Sequence, residues 1–210
     1  NNTEGDDARV RKSFEEPANN NPVVRILSPA GAELVPRVAD NYAIPGLTGA
    51  MISALKAAAR PVPEYLQLLH DESDARVRGI ERATFAMHCF WDGEAMLGGV
   101  RGVISTTPAK FQNLEVVEVE FDSSMIDYER LLRMAKNKKF ADRAFTRTDE
   151  QQRIASKFMG TGAQRTGQFA IPDKEPKYRL RGTPYKHIPM SPLQATLAIA
   201  ADCTSRVGWA

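Results

Sequence analysis

The stretch Arg82-Ala83-Thr84-Phe85-Ala86-Met87 runs without a break into His88-Cys89-Phe90-Trp91. The first part is apolar enough to predict a buried strand. The second part opens a helical pattern that ends at Gly98-Gly99, a typical helix stop. A cysteine at such a junction faces the unpaired N–H groups of the helix start, which favour a thiolate. Cys89 is therefore a candidate nucleophile, and a small buried thiol is the alternative.

The segments around this junction alternate between strand and helix patterns. They predict strands over 100–106, 114–121 and 143–146, and helices over 126–138 and 149–159. Thr148 is the predicted cap of the last helix, with Gln151 in the capping-box position. The resulting β-α-β-β-α-β-α order predicts an α+β fold, a split βαβ (ferredoxin-like) two-layer sandwich with extensions at both ends.

Composition shifts divide the chain into four predicted segments. These are a disordered polar segment (1–21), a small helical and β extension (22–78), the core (79–160), and an irregular basic segment that ends in a helix and a tail (161–210). Outside the core, the pattern predicts strands over 23–27 and 33–38 and helices over 45–60, 64–71 and 191–201. The extension carries no catalytic constellation, so we expect it to pack on or dock a protein partner.

Charge and cysteine content narrow the classes of function. The chain has 28 Lys and Arg against 26 Asp and Glu, which does not indicate a nucleic-acid binder. No apolar run has the roughly 18 residues that a membrane span needs. The two cysteines, Cys89 and Cys203, exclude a four-cysteine zinc site. The chain begins at Asn1, which is compatible with a processed periplasmic or secreted protein and equally with a cytoplasmic one.

Four blocks of the core, in order, resemble the A-type peptide methionine sulfoxide reductases over about residues 80–158. The blocks are Ala83–Phe85 with Cys89-Phe90-Trp91 and Glu94, the strand 102–106, the acidic strand 115–122, and the pair of segments 127–132 and 144–155. In that family the motif Gly-Cys-Phe-Trp-x-x-Glu carries the catalytic cysteine. Four blocks in order are far more specific than the tetrapeptide alone.

The resemblance implies a fold of the reductase type and a role for each matching residue. Cys89 would attack the sulfoxide sulfur of a peptide methionine S-sulfoxide, Phe90 and Trp91 would hold the S-methyl group, and Glu115 would protonate the oxygen. Cys203 is the candidate resolving cysteine for the resulting sulfenic acid. The resemblance implies no bound cofactor, since an external thioredoxin-like thiol would supply the electrons. His88 and Glu94 are auxiliary candidates, and the expected roles are protein repair and defence against oxidative stress.

Two loops that shape the family's substrate site are short in this sequence. Only residues 107–114 separate the second strand from the acidic strand, and no tyrosine occurs between Tyr65 and Tyr128. We therefore expect the C-terminal segment to cover the site, through Tyr178 or Tyr185. Loss of one hydrogen-bond donor to a developing oxyanion typically costs about 10²–10³ in rate.

Two further functions stay open from the residues. One is a catalytically impaired, reductase-like fold that works as an interaction or assembly module through 22–78 and the basic C-terminal segment. The other is soft-metal binding by a set of sulfur and imidazole ligands. That set comprises Met87, His88, Cys89, His187, Met190 and Cys203.

Overall fold

The structure, a computed structural model, describes residues 4–18, 23–137 and 141–207, with side chains as far as residue 202. The chain divides into two compact units, 1–74 and 75–210. Across the described ranges, no helix combines the length and the apolar character that a membrane crossing requires.

The first unit is mainly helical. Its helices are Gly5–Ser13 (α1), Ile44–Ala57 (α2) and Glu64–Arg78 (α3). α1 lies within the segment for which composition predicts disorder. α3 continues past the predicted end at 71 because no Gly or Pro interrupts the chain before Gly79. The two predicted strands are reduced to isolated bridges, Val24 with Val38 and Leu27 with Glu33.

The second unit contains the predicted alternation of strands and helices. Its elements are Glu81–Met87 (β1), Phe90–Gly98 (α4), Val103–Phe111 (β2), Leu114–Phe121 (β3), Tyr128–Asn137 (α5), Ala141–Thr146 (β4), Asp149–Met159 (α6), Ala163–Arg165 (β5), Ile171–Pro172 (β6) and Pro192–Val207 (α7). Sequential strands and helices around one mixed sheet confirm the predicted α+β class.

The sheet order determines which strand ends meet. The order is β5-β4-β1-β3-β2-β6, and only the β4–β5 pair is parallel. β1 and β2 both lie antiparallel to β3, on opposite sides of it, so α4 connects two strands that run in the same direction with β3 between them. In this register Ala86 pairs with Val116. The end of β1, the start of α4 and the start of β3 therefore share one edge of the sheet.

The two faces of the sheet bury different side chains. Phe85, Val117 and Val119 face a core completed by α4, α5 and α6. Ala86, Val116 and other side chains of the opposite face form a second, smaller cluster. Successive strand residues point to opposite faces, so Glu115 shares the helix-covered face with Val117.

The first of the two short loops is a tight turn in the structure. β2 extends past the predicted end at 106 and reaches Phe111, and Gln112 and Asn113 alone connect it to β3. Both residues have positive φ, 51° and 63°, as a two-residue type I′ hairpin requires. Pro108 interrupts the sequence pattern of the strand, but the pairing with β6 involves only Ala109 and Lys110, so its missing N–H costs no bond there.

The start of α6 and the end of α7 test two predicted helix boundaries. The hydroxyl of Thr148 accepts a hydrogen bond from the N–H of Gln151 at 3.1 Å, which confirms the cap of α6. The predicted end of the last helix at 201 is wrong, because α7 runs to Val207. No Gly or Pro follows Pro192 before Gly208, so nothing in the chain ends the helix earlier. Cys203 therefore lies in α7 and not in a tail.

Candidate active site

Cys89 lies at the point where β1 gives way to α4. It is the N-cap residue of α4, with an extended backbone (φ −135°, ψ 113°), and its carbonyl accepts the first helical hydrogen bond, from Gly93 at 3.1 Å. Its side chain makes no capping hydrogen bond. The thiol is half-buried and, among the described residues, forms no disulfide. Its sulfur is thus neither sealed in the core nor engaged by the helix it precedes.

Glu115 reaches the same helix start from β3. Its Oε2 accepts a hydrogen bond from the backbone N–H of Phe90 at 3.1 Å. This N–H belongs to the first turn of α4 and has no partner within the helix. The carboxyl is half-buried, and within the described residues this is its one hydrogen bond. The sheet register thereby brings the predicted acid to the residue next to the predicted nucleophile.

The two aromatic residues after Cys89 form an apolar wall. Phe90 is buried and lies 5.0 Å from Trp91, measured between ring centroids. Trp91 is stacked on Tyr178 with centroids 3.6 Å apart and ring planes within 8°. One face of the indole is therefore covered by a tyrosine that the C-terminal segment supplies. The predicted cover of the site by Tyr178 is present, whereas Tyr185 is exposed.

The segment around Tyr178 is attached to α4 at three points. Tyr178–Leu180 forms a short 3₁₀ helix. Besides the stack, Arg179 forms an ion pair with Asp92 in the first turn of α4, and Leu180 is buried in a cluster with Ala95 and Ile199. Sequence patterns could not predict this placement, because residues 160–190 have no hydrophobic period that shows where Tyr178 packs.

The remaining predicted site residues lie apart from this group. His88 is exposed, and Glu94 is buried in the middle of α4. The side chain of Cys203 lies outside the described residues, so its pairing with Cys89 stays a prediction. Within the ranges that the structure describes, no group of three or more His, Cys, Asp or Glu side chains is placed to hold a metal ion.

The arrangement combines three chemical functions at one helix start. Cys89 offers a half-exposed sulfur, Glu115 an acid that can hold or give a proton, and Phe90 with Trp91 a surface for an apolar group. Such a set suits attack by sulfur on an electrophile whose oxygen is protonated in the same step. The structure thus brings together four of the seven predicted residues.

A comparison with curated proteins finds a relative of this chain. The peptide methionine sulfoxide reductase MsrA of Methanococcus maripaludis is 31% identical over 109 residues, which cover 37% of this chain and 69% of that protein. No family model matches the chain. The protein is thus related to a reductase. It belongs to the peptide methionine sulfoxide reductase MsrA family.

The coverage also bears on the short loops. Because 37% of 210 residues is about 78, the matched part of this chain is shorter than the 109 positions over which identity is measured. The chain therefore lacks residues that the relative has within the shared region.

Proposed function

We propose that the protein reduces peptide methionine S-sulfoxide to methionine, with Cys89 as the nucleophile and Glu115 as the acid, and that its sandwich is of the reductase type. The observation that carries the proposal is the hydrogen bond between the carboxylate of Glu115 and the N–H of Phe90. It sets the acid beside the residue that follows the thiol. Family membership supplies the substrate class.

The proposed reaction moves one oxygen atom and two electrons. The Cys89 thiolate attacks the sulfoxide sulfur while Glu115 gives its proton to the oxygen. The attack forms a bond between the two sulfur atoms. The oxygen then passes to the Cys89 sulfur, both bonds from the methionine sulfur to oxygen and to Cys89 break, methionine leaves as a thioether, and Cys89 becomes a sulfenic acid. A thiol then condenses with the sulfenic acid to form a disulfide and water, and a second thiol reduces that disulfide. The first of these thiols is Cys203 or the external thioredoxin-like reductant.

The test uses a peptide with racemic methionine sulfoxide and dithiothreitol as the reductant. We expect the full chain to consume the S epimer alone and the Cys89→Ser variant to consume neither. Mass spectrometry after one turnover without reductant is expected to find 16 Da added at Cys89, or a Cys89–Cys203 disulfide in its place. Turnover that survives Cys89→Ser, or loss of both epimers at equal rates, would contradict the proposal.

One observation favours a second candidate, a catalytically impaired fold that acts as a protein-interaction module. Tyr178 occupies a face of Trp91, the side chain proposed to hold the S-methyl group. Under this alternative the full chain has no Cys89-dependent turnover, and Tyr178→Ala does not restore any. Turnover that appears only in Tyr178→Ala would show instead that the C-terminal segment closes a competent site.

A further inference from the structure

A cavity of about 450 Å³ lies in the second unit, away from Cys89. Residues of β2 line one side of the cavity, and residues of α4 and α7 line others. The segment after β6 lines the remaining side. Its apolar lining includes Pro108, Pro172, Ala195 and Ile199. Cys89, Phe90, Trp91 and Glu115 do not line it. This volume is within the range of small-molecule sites.

Two buried polar atoms in this cavity have no hydrogen-bond partner among the described residues. They are Oε2 of Glu94 and Oγ1 of Thr106, on side chains that are 2% and 8% exposed. α4 supplies the first and β2 the second, and both residues line the cavity. Buried polar groups are nearly always hydrogen-bonded, and each unsatisfied one costs about 1–3 kcal/mol. Because both side chains line the cavity, a polar ligand group bound there would supply the partner that these atoms lack.

Three of the other charged side chains that line the cavity, Glu118, Glu120 and Arg82, are already in ion pairs. Glu118 is paired with Arg147 at 2.6 Å, and Glu120 with Arg82 at 2.8 Å. Lys177 directs its Nζ to the carbonyl oxygen of Ile188, at 2.6 Å. Among the described side chains that line the cavity, Glu94, Asp173, Glu175 and Lys177 have no ion pair, so three acids stand against one base.

The charge of Asp173 opposes the ionisation of Glu94. Burial, and then the charge of Asp173, raises the pKa of the Glu94 carboxyl to about 8. A positive charge placed beside Glu94 would remove both causes at once, because it compensates burial and screens Asp173. Glu94 therefore has no compensating cation, although Lys177 lines the same cavity.

We propose that this cavity binds an aliphatic primary ammonium group, with Glu94 and Thr106 as its hydrogen-bond acceptors and the proline-rich wall against its alkyl chain. An ammonium has three donors on a compact head, which suits one carboxyl oxygen and one hydroxyl at the end of an apolar pocket. The site does not depend on the proposed reductase activity, since none of the reacting residues lines it.

A lysine side chain of a peptide and a free aliphatic amine share this chemistry. Titration calorimetry of the full chain at pH 8.5 uses three probes, namely n-butylammonium, 1,4-diaminobutane and N-acetyl-lysine methylamide. We expect saturable 1:1 binding of n-butylammonium and none of n-butanol, its neutral counterpart. Tighter binding of the lysine derivative than of the diamine assigns the site to peptides, and the reverse order assigns it to free amines.

Three variants test the assignment of residues. Glu94→Gln keeps the shape but not the charge, and we expect it to weaken n-butylammonium binding about tenfold or more. Thr106→Val removes one acceptor and is expected to weaken binding about fivefold. Glu129→Gln, on α5 and outside the cavity lining, serves as the matched control and should bind like the unmodified chain. Should Glu94→Gln fail to fold, Thr106→Val and Asp173→Asn carry the test.

Binding should also follow the ionisation of Glu94. We expect affinity for n-butylammonium to rise from pH 7 to pH 9, with a proton released on binding at pH 7, because a cation favours the carboxylate. The charged groups that share the cavity with Glu94 are Asp173, Glu175, Lys177, Arg82, Glu118 and Glu120. A titration with no saturable binding, or equal binding of n-butanol, would overturn the proposal and leave ordered water as the partner of both orphan atoms.

Discussion

Two carboxyl groups lie at helix α4, one beside its start and one within it, and their hydrogen bonding differs. Glu115, on β3, is half-buried and accepts a hydrogen bond from the first turn of the helix. Glu94, within the helix, is 2% exposed, and its Oε2 has no partner among the described residues. The carboxyl beside the start of α4 thus has a hydrogen-bond donor, whereas one oxygen of the carboxyl in the middle of α4 has none among the described residues.

This difference separates two kinds of function. The hydrogen bond from the Phe90 N–H holds the half-buried Glu115 carboxyl beside Cys89, at the start of α4. A carboxyl without a donor or a cation stays protonated until something supplies one, as the pKa of about 8 for Glu94 indicates. The first arrangement suits chemistry at Cys89, and the second suits recognition of a ligand.

Removing one of these two carboxyl groups is expected to have its largest effect on catalysis. Glu115→Gln keeps the shape of the side chain but removes its proton, and general acids typically contribute about 10²–10⁴ in rate. We expect kcat for the S-sulfoxide peptide to fall by that factor, with little change in KM. Steady-state kinetics with dithiothreitol in excess measures both quantities.

Glu129→Gln is the matched control for this variant. Glu129 lies on α5, where it pairs with Arg133, and we expect the control to retain its activity. An equal loss in both variants would contradict a specific role for Glu115, as would unchanged kcat in Glu115→Gln.

The next effect concerns stability and pH. Glu94 has a pKa of about 8 in the folded chain, against about 4.3 when exposed, so only the unfolded state ionises between these values. Wild-type stability is therefore fully present below pH 4 and falls, relative to Glu94→Gln, as the pH rises towards 8. At 1.36 kcal/mol per pKa unit, we expect a difference on the order of 3–5 kcal/mol.

Urea unfolding at pH 5, 6.5 and 8 measures this difference. Glu129→Gln again serves as the control, because Glu129 pairs with Arg133 on α5 and does not line the cavity. Parallel curves for the wild type and Glu94→Gln would mean that Glu94 is satisfied in solution and is not held protonated by burial.

The order of core elements was predictable because their residues follow local patterns. Phe85, Val117 and Val119 alternate as a strand requires, Gly98-Gly99 ends α4, and Thr148 caps α6. The neighbourhood of Cys89 and Glu115 followed from the family resemblance and agrees with the sheet register. Local pattern and resemblance thus locate the candidate active site.

The parts that were wrong or missed depend on contacts distant in sequence. β2 continues through Pro108 because its neighbours do not need that N–H, and Gln112-Asn113 turn without the glycine that usually marks a two-residue hairpin. Glu94 has an ordinary helical position in the sequence, and only the meeting of β2, α7 and Asp173 makes it a cavity residue. No periodicity contains that information.

A smaller effect concerns the cover on Trp91. Aromatic stacks contribute about 0.5–1.5 kcal/mol beyond the area they bury, so we expect Tyr178→Ala to lower the free energy of unfolding by roughly 1–3 kcal/mol. Tyr178→Phe keeps the ring and should stay within about 0.5 kcal/mol of the unmodified chain. The fluorescence of Trp91 should shift to the red in Tyr178→Ala alone.

A Trp209→Phe background makes that measurement specific, because the chain has two tryptophans. Identical emission from Tyr178→Ala and Tyr178→Phe would show that Tyr178 does not cover Trp91 in solution. The stack would then play no part in covering the candidate active site.

The smallest effect concerns Cys89 as a cap. Its backbone is already extended as an N-cap requires, but its side chain makes no capping bond, whereas the hydroxyl of Thr148 makes one at the start of α6. Since serine is among the best N-cap residues, we expect Cys89→Ser to raise the free energy of unfolding by about 0.5–1 kcal/mol. Cys89→Ala, which removes the sulfur and adds no acceptor, should not, and urea unfolding of both variants decides. A gain in the serine variant alone would mean that the thiol occupies its position at the expense of stability, as expected where a residue is retained for its chemistry.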